Sequence, residues 1–97
     1  MSFTLCVLLW AVDGHEHELT AYEDDVLAVL VEHGGTVTSR VRRQAGESAE
    51  LPLEVQILEL ADEETLTRFL ADPRRLAAAE VRDRSISRTE LIRVTHR

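Results

Sequence analysis

The segment TLCVLLWAV, residues 4 to 12, is apolar on both of the faces that an extended strand presents, and it constrains the fold more than any other feature. One face carries Leu5, Val7, Leu9 and Ala11, and the other carries Cys6, Leu8, Trp10 and Val12. This pattern is typical of a central strand that is covered on both sides. Because one layer of helices covers only one face of a sheet, we expect a second surface to cover the other.

A long helix is predicted to follow this strand, from a cap at Asp13 to about His33. Asp13 and Glu16 have the spacing of a capping box, in which the acid three positions on bonds back to the cap residue. Gly34 and Gly35 then provide a stop signal. The apolar stripe of the helix consists of Leu19, Tyr22, Val26, Val29 and Leu30. The helix therefore has one face that can pack against a sheet.

Three more segments alternate between apolar and polar side chains, as strands do. They span residues 36 to 43, 53 to 60 and 88 to 96. In the first of these, Val37, Ser39 and Val41 are expected to share a face. In the second, Leu58 and Leu60 are expected to lie on the sheet face opposite the helices. That face would then carry Cys6, Leu8, Trp10, Val12, Leu58 and Leu60.

A second helical region is predicted between the last two strands. Asp62 is its cap, Pro73 interrupts it with Asp72 as a second cap, and it continues to about Asp83. The element order strand, helix, strand, strand, helix, strand predicts an α+β, ferredoxin-like fold with a four-stranded antiparallel sheet and two helices on one face. At 97 residues and 44% hydrophobic content, residues 1–97 are expected to form a single domain.

The other sheet face is too apolar for a monomer in water, so we expect a homodimer that pairs through it. The net charge of −7 disfavours nucleic acid, because phosphate binding depends on clustered cations. The single Cys6 gives no disulfide framework and suits a reducing compartment, where a buried thiol is expected. The apolar run is too short to span a bilayer and lacks a signal peptide's cationic start, so a cytoplasmic protein without membrane contact is expected.

Three features make the chain resemble the dimeric α+β barrel superfamily. They are the apolar first strand, the helix ELTAYEDDVLAVLVEHGG with its closing HGG turn, and the element FLADPRRLAA after the third strand. In particular the chain resembles small domain-of-unknown-function relatives of the antibiotic-biosynthesis monooxygenases and the stress-responsive barrel proteins, which have AYE early in the first helix and HGG at its end. The resemblance covers nearly the whole chain. It implies a ligand site between a protomer's sheet and its helices.

The same superfamily includes haem-degrading enzymes and muconolactone isomerases. The haem-degrading type relies on an Asn, Trp and His constellation, whereas this chain has no asparagine and no histidine in its second helical region. That activity is therefore disfavoured. No nucleophile elbow and no phosphate loop occur in the sequence. We predict no cofactor and no metal.

The stretch DGHEHE places His15 and His17 two positions apart, which first suggests a metal site. In the first turn of a helix, residues at this spacing point about 200° apart and cannot meet one ion. Both are therefore expected at the surface. Within the same helix, His33 is the more interesting histidine, because it lies beside the apolar stripe. It is predicted either to stabilise the helix end or to act as a general base at a pocket.

Five residues are candidates for lining that pocket. Trp10 and Tyr22 could be its aromatic walls or simply core residues. Arg40 and Glu54 are expected to form a cross-strand pair, and together with Gln56 they could instead supply the few polar groups of an otherwise apolar site.

Arg74 and Arg75, after Pro73, are expected on a solvated helix face, with anion binding as the alternative. Two functions therefore stay open. The first is a domain that binds a small apolar or aromatic molecule or serves in assembly. The second is a cofactor-independent enzyme of monooxygenase or isomerase type, acting on a small aromatic, polyketide-like or lactone substrate with His33 as proton acceptor. A pocket between sheet and helices, lined by His33 and Tyr22, would favour the enzyme.

Overall fold

The predicted strands form one antiparallel sheet in the order β2-β3-β1-β4 in the computed structural model, which describes residues 2–97. The elements are β1 (Phe3–Ala11), α1 (Glu16–Glu32), β2 (Thr36–Arg42), β3 (Glu54–Leu60), α2 (Glu63–Leu70), α3 (Pro73–Ala77), α4 (Ala79–Ser85) and β4 (Ile86–Val94). The apolar β1 and β3 are the two central strands. The α+β arrangement predicted from the element order is confirmed.

The helices cover one face of this sheet and enclose the core. Leu5, Val7 and Leu9 of β1 lie on this face, and each is almost fully buried. Across the strand pair, Leu58 is opposite Leu5 and Leu60 is opposite Phe3. The helices contribute Leu19, Tyr22, Val26, Leu27, Val29, Leu30, Leu66 and Phe69. The helices therefore bury one of the two apolar faces of β1.

The assignment of Leu58 and Leu60 to the opposite face was wrong, because both belong to the core under the helices. Val55 and Ile57 take their place on the opposite face. Val12 is also not part of that face, since β1 ends at Ala11. We call this surface the outer face. It consists of Cys6, Leu8 and Trp10 from β1, Val55 and Ile57 from β3, Val41 from β2, and Ile92 and Val94 from β4.

An irregularity in β2 changes the faces that its alternation predicts. The register shifts between Val37, which is opposite Leu58, and Ser39, which is opposite Ile57. One extra residue in a strand moves the following side chains to the other face. Val37 therefore packs against the core, whereas Val41 lies on the outer face with 56% of its surface exposed. The prediction that Val37, Ser39 and Val41 share a face was wrong.

The start of α1 differs from the predicted capping box. His15, not Asp13, is the N-cap residue, and its side chain makes no capping hydrogen bond. The amide of His15 donates to the carbonyl of Val12 over 2.9 Å, so that the chain makes a turn before the helix begins. The Glu16 carboxylate does reach back, but it accepts from the amide of Gly14 over 3.3 Å.

The end of α1 matches the predicted stop. His33 is the C-cap residue, and Gly34 follows with a φ of +91°, which favours glycine. The amide of Gly35 donates to the carbonyl of Leu30 over 3.0 Å. A Cβ at Gly35 would lie 2.7 Å from the Leu30 side chain, so that only glycine fits between the helix end and β2.

The second helical region, predicted as a kinked or two-part helix, consists of the three short helices α2, α3 and α4. Asp62 caps α2 as predicted, since its carboxylate accepts from the Thr65 amide over 2.8 Å. Asp72 caps α3 with Pro73 in the first turn, and its carboxylate accepts from the Arg74 amide over 2.8 Å. Within residues 2–97 no helix is both long and apolar enough to cross a membrane.

Candidate ligand cavity

A cavity of about 320 Å³ lies between the helix-covered face of the sheet and the helices. This volume is at the small end of the range for pockets that hold organic ligands. Its apolar walls are Leu5, Val7, Leu9, Val26, Leu27, Leu30, Leu58, Leu60, Leu66, Phe69, Leu70, Ile86 and Leu91. The sheet and helices are therefore not packed into a solid core.

Six polar side chains also line the cavity. Tyr22 and Glu23 come from α1, Gln56 comes from β3 and Thr89 comes from β4. Two cations, Arg75 of α3 and Arg82 of α4, complete the set. A mostly apolar wall with a few fixed polar groups is the usual composition of a small-molecule site.

The carboxyl of Glu23 is the most buried acid that faces this cavity, with only 6% of the residue exposed. Its Oε1 atom accepts a hydrogen bond from the side-chain amide of Gln56 over 2.8 Å. The same Gln56 nitrogen donates to Oε2 of Glu54 over 2.7 Å. Glu54 in turn forms an ion pair with Arg40, whose Nε donates over 2.6 Å. One glutamine thus links a carboxyl at the cavity to an ion pair behind it.

Burial controls the electrostatics of the two α1 residues. It raises the pKa of the Glu23 carboxyl, and the hydrogen bond from Gln56 opposes this rise only in part. Burial likewise raises the pKa of the Tyr22 hydroxyl, against the opposing fields of Arg75 and Arg82. Glu23 can therefore hold a proton at a pH where a solvated glutamate has lost it.

Four of the predicted pocket residues gather at this site. Tyr22 and Gln56 line the cavity, and Glu54 lies directly behind Gln56. Arg40 and Glu54 form the expected pair, and Arg40 also contacts Asp24 of α1 over 2.6 Å. The pair is diagonal rather than directly opposite, because the register places Arg40 against Gln56.

Trp10 does not belong to this group, because it lies on the outer face of the sheet. Its indole N–H donates to the carbonyl of Glu50 over 3.0 Å. The guanidinium of Arg88 stacks on its ring at 4.6 Å from the centroid. The sequence suggested Trp10 as a possible wall of the pocket, but Trp10 does not line the cavity between the sheet and the helices. Cys6, also on the outer face, is half-buried and free.

His33 is separate from the residues that line the cavity. Its Nε2 atom lies 2.8 Å from a carboxylate oxygen of Asp72, and its ring meets the ring of Phe69 edge to face at 6.4 Å. Hydrogen bonds from Arg74 and from His33 hold the pKa of Asp72 well below its usual range. His33 thus ties the end of α1 to the start of α3. Its catalytic role stays a prediction, and the acid that faces the cavity is Glu23.

The histidines of DGHEHE are near the surface at the start of α1. His15 contacts Glu18, three positions on, and His17 points outward. Within residues 2–97 no three histidine, cysteine, aspartate or glutamate side chains come together as metal ligands would. The structure therefore gives these histidines a local role at the helix start.

Glu23 was missed in the sequence analysis, although a signal for it exists. It lies four positions after Leu19 and four before Leu27, so that an acid interrupts a line of core residues along the helix. Arg82 and Thr89 were also missed, because their neighbours in sequence are polar and give no sign of a cavity. Arg75 was named as an alternative anion site, and it is the arginine of the RR pair that lines the cavity.

Several solved structures share this fold, and three represent them. A NIPSNAP family protein of unknown function from Agrobacterium tumefaciens is 17% identical, with 96% of this chain and 86% of that chain covered and a TM-score of 0.76. A DABB family protein with a ferredoxin-like fold from Mesorhizobium loti is 17% identical, with 98% and 96% covered and a TM-score of 0.67. A dimeric protein of unknown function with a ferredoxin-like fold from Bacteroides fragilis is 12% identical, with 98% and 96% covered and a TM-score of 0.68.

No protein-family model matches the sequence, and no curated protein is significantly similar to it. The structural likenesses, all at low identity, show the fold. They confirm that the chain has a ferredoxin-like α+β fold.

Proposed function

We propose that this chain is a small-molecule-binding domain, with the cavity between sheet and helices as its binding site. The observation that carries the proposal is the 320 Å³ of unfilled space between secondary-structure layers that ordinarily pack without voids. A cavity of this size with apolar walls costs stability when it is empty. A ligand with a mainly apolar body would restore the lost contacts.

The buried polar groups support a ligand that also carries a hydrogen-bonding group. Gln56 fixes Glu23 from one side through its bond to Oε1, which leaves Oε2 of that carboxyl without a protein partner among residues 2–97. Because Glu23 is buried, a ligand atom that bonds to it would do so in a medium of low dielectric constant, where hydrogen bonds are strong. Such a bond would let the site select a ligand that carries a hydrogen-bonding group over an apolar ligand of the same shape.

We also propose that the domain works as a homodimer through its outer face. The middle of this face is apolar, and Ile92 is 48% exposed in the single chain. Polar pairs lie beside it, where Arg88 contacts Glu90 at 3.0 Å on the edge strand β4 and Thr4 donates to Glu59 over 2.7 Å near the start of β1. An apolar centre with a polar rim is the usual composition of a protein interface. The structural neighbour from Bacteroides fragilis is described as dimeric.

Binding in the cavity is tested with 1-naphthamide, a neutral aromatic amide, by isothermal titration calorimetry. Val26 lines the cavity and Val31 lies on the same helix with 55% of its surface exposed. Val26→Phe fills part of the cavity, so we expect it to weaken binding at least about tenfold. The matched Val31→Phe variant should bind as the unmodified protein does.

Circular dichroism and thermal unfolding establish that both variants fold, since a larger residue in a core position costs about 1–3 kcal/mol at most sites. Absence of binding to the unmodified protein by both 1-naphthamide and its carboxylate analogue 1-naphthoate would contradict the proposal. Equal affinity in the folded Val26→Phe variant would contradict it as well, because the ligand would then bind elsewhere.

A further inference from the structure

Arg75 is a partly buried cation that has no acid beside it. One of its terminal N–H groups donates to the carbonyl of Leu70 over 3.0 Å, and its guanidinium packs against the ring of Phe69 at 5.8 Å from the centroid. Within residues 2–97 no carboxylate lies within ion-pair distance of it. Most of its N–H groups are therefore free of charged partners at the wall of the cavity.

Other arginines of this acidic chain contrast with Arg75. Its neighbour Arg74 contacts both Glu32 and Asp72, at 2.9 and 3.0 Å. Most of the remaining arginines also pair with an acid, namely Arg40, Arg68, Arg84, Arg88 and Arg93. Arg42, Arg43 and Arg97 also have no ion pair within residues 2–97, but they do not line the cavity, whereas Arg75 does.

Arg82 lies at the same cavity and is paired only weakly. Its single ion pair is with the adjacent Asp83, at 3.6 Å, and 40% of its side chain is exposed. It comes from α4, whereas Arg75 comes from α3, and both act on the Tyr22 hydroxyl at the cavity wall. Two arginine side chains from different helices therefore line the same mostly apolar cavity.

The Arg75 guanidinium is partly shielded from water, and an arriving anion would compensate for the water that it has lost. The planar guanidinium forms paired hydrogen bonds with a carboxylate and is less strongly hydrated than an ammonium group. Beside an apolar cavity, the lower effective dielectric constant makes the attraction larger than it would be in water. A ligand with a single negative charge fits better than a phosphate, because Glu23 and Asp83 add negative groups nearby.

We propose that the ligand of this cavity is a small apolar carboxylate, with its carboxylate group held by Arg75 and Arg82 and its apolar body between the sheet and α1. This inference rests on the proposed function and adds the chemical class of the ligand. It assigns to Arg75 and Arg82 the role of a specificity site that selects an anion over a neutral molecule of the same shape.

The test compares 1-naphthoate with 1-naphthamide, which have nearly the same shape and differ in charge. Calorimetry at pH 7.5 and low salt should give about tenfold tighter binding of naphthoate to the unmodified protein. Arg75→Gln should reduce naphthoate binding to the level of naphthamide and leave naphthamide binding unchanged. Arg82→Gln, on the other helix, should reduce the preference as well, and it keeps the test decisive if Arg75→Gln does not fold.

Arg68→Gln is the matched control, because Arg68 is an exposed arginine of α2 that pairs with Glu64 and does not line the cavity. It should keep the full preference for naphthoate. If naphthamide binds and naphthoate binds no more tightly, the anion site is wrong and the proposed function stands. If neither compound binds, the proposed function fails, and the anion site fails with it. A preference that survives in both folded cavity variants also overturns the inference.

Discussion

The packing of α1 places Glu23 in the cavity wall, although its carboxyl would be better solvated in water. Its backbone position is fixed by core residues on both sides along the helix, Leu19 and Leu27. Its side chain must then be buried, where an ionised carboxyl is poorly solvated. Gln56 supplies one hydrogen bond, and the nearby Glu54 charge adds to the cost of ionisation. An apolar residue at position 23 would therefore stabilise this helix face more than the buried glutamate does.

The stability of the protein should therefore depend on the proton of Glu23. The pKa of this carboxyl is higher in the folded protein than in the unfolded chain, so folding is favoured at pH below the unfolded value and weakened as pH rises toward the folded value. Glu23→Gln removes this penalty and keeps an acceptor for Gln56. We expect it to raise the free energy of unfolding at pH 8 by about 1 kcal/mol. Urea unfolding measures the change.

At pH 4 the same substitution should have little effect, because both states of the unmodified protein then hold the proton. Glu47→Gln is the control, since Glu47 lies in the exposed turn between β2 and β3. It should change stability little at either pH. A Glu23→Gln variant that is less stable than the unmodified protein at pH 8 would show that the carboxylate is stabilised by its surroundings.

Sequence patterns predicted the elements well and the polar site only in part, because they pointed to Gln56 and the Arg40–Glu54 pair but missed Glu23. Gln56 and Glu23 are 33 positions apart in sequence, and Arg40 and Glu54 are 14 apart. Polar residues at the start of β3 suggest solvent when β3 is considered alone. Their burial depends on partners from α1 and β2, which no local pattern contains. The cavity is equally non-local, because it lies between the sheet and the helices and is lined by residues from both.

At the scale of elements, errors arose where one extra residue or turn changed a face. The spacing of Asp13 and Glu16 fits a capping box, but a turn closed by Val12 and His15 comes first and the helix begins later. The shift after Val37 exchanged the faces of β2 in the same way. Helix ends with glycine were more predictable, since positive φ and close approach restrict the residue itself. The pair Gly34 and Gly35 combines both restrictions at the end of α1.

Replacing either of these two glycines by alanine should lower stability, but for different physical reasons. Gly35→Ala would place a Cβ 2.7 Å from the side chain of Leu30, which is fully buried and cannot move away cheaply. Overpacking of this kind costs about 1–3 kcal/mol. Gly34→Ala meets open space, and only its φ of +91° disfavours alanine, at about 1–2 kcal/mol. Thermal unfolding should therefore show a loss in both variants.

Ligand binding separates the steric clash expected in Gly35→Ala from the backbone strain expected in Gly34→Ala. Leu30 lines it, so a shift of Leu30 in Gly35→Ala should also weaken binding of 1-naphthamide. Gly34→Ala should leave that affinity unchanged once the protein is folded. Equal affinities in the two variants would mean that the backbone at residue 35 moves to avoid the clash and that Leu30 keeps its position in the cavity wall.

The two apolar faces of β1 have different surroundings in the single chain, and this difference bears on assembly. Leu5, Val7 and Leu9 are covered by the chain's own helices, as their burial requires. Leu8 and Cys6, on the other face, have neighbours only within the sheet, at Val55 and Ile57 and at Ile92. The same strand therefore takes part in the cavity on one side and presents an uncovered surface on the other. A partner that covers this surface would also hold β1 rigid beneath the ligand.

The proposed homodimer makes a prediction for the molecule as a whole. The chain has a mass of 11.0 kDa, so light scattering coupled to size exclusion should report twice that value at micromolar concentration. Ile92→Glu puts a charge into the outer face, where burial of an unpaired carboxylate costs several kcal/mol, and we expect it to give a folded monomer. Val31→Glu, on the exposed side of α1, should remain dimeric.

The same pair of variants separates assembly from binding. The cavity is built from one chain, so a monomeric Ile92→Glu protein should still bind 1-naphthamide, though less tightly if the partner stiffens β1. Circular dichroism that matches the unmodified protein establishes that the monomer is folded. A mass of 11.0 kDa for the unmodified protein would contradict the dimer. The apolar outer face would then need another occupant, because exposed valine and isoleucine side chains on an uncovered sheet face favour association with some surface.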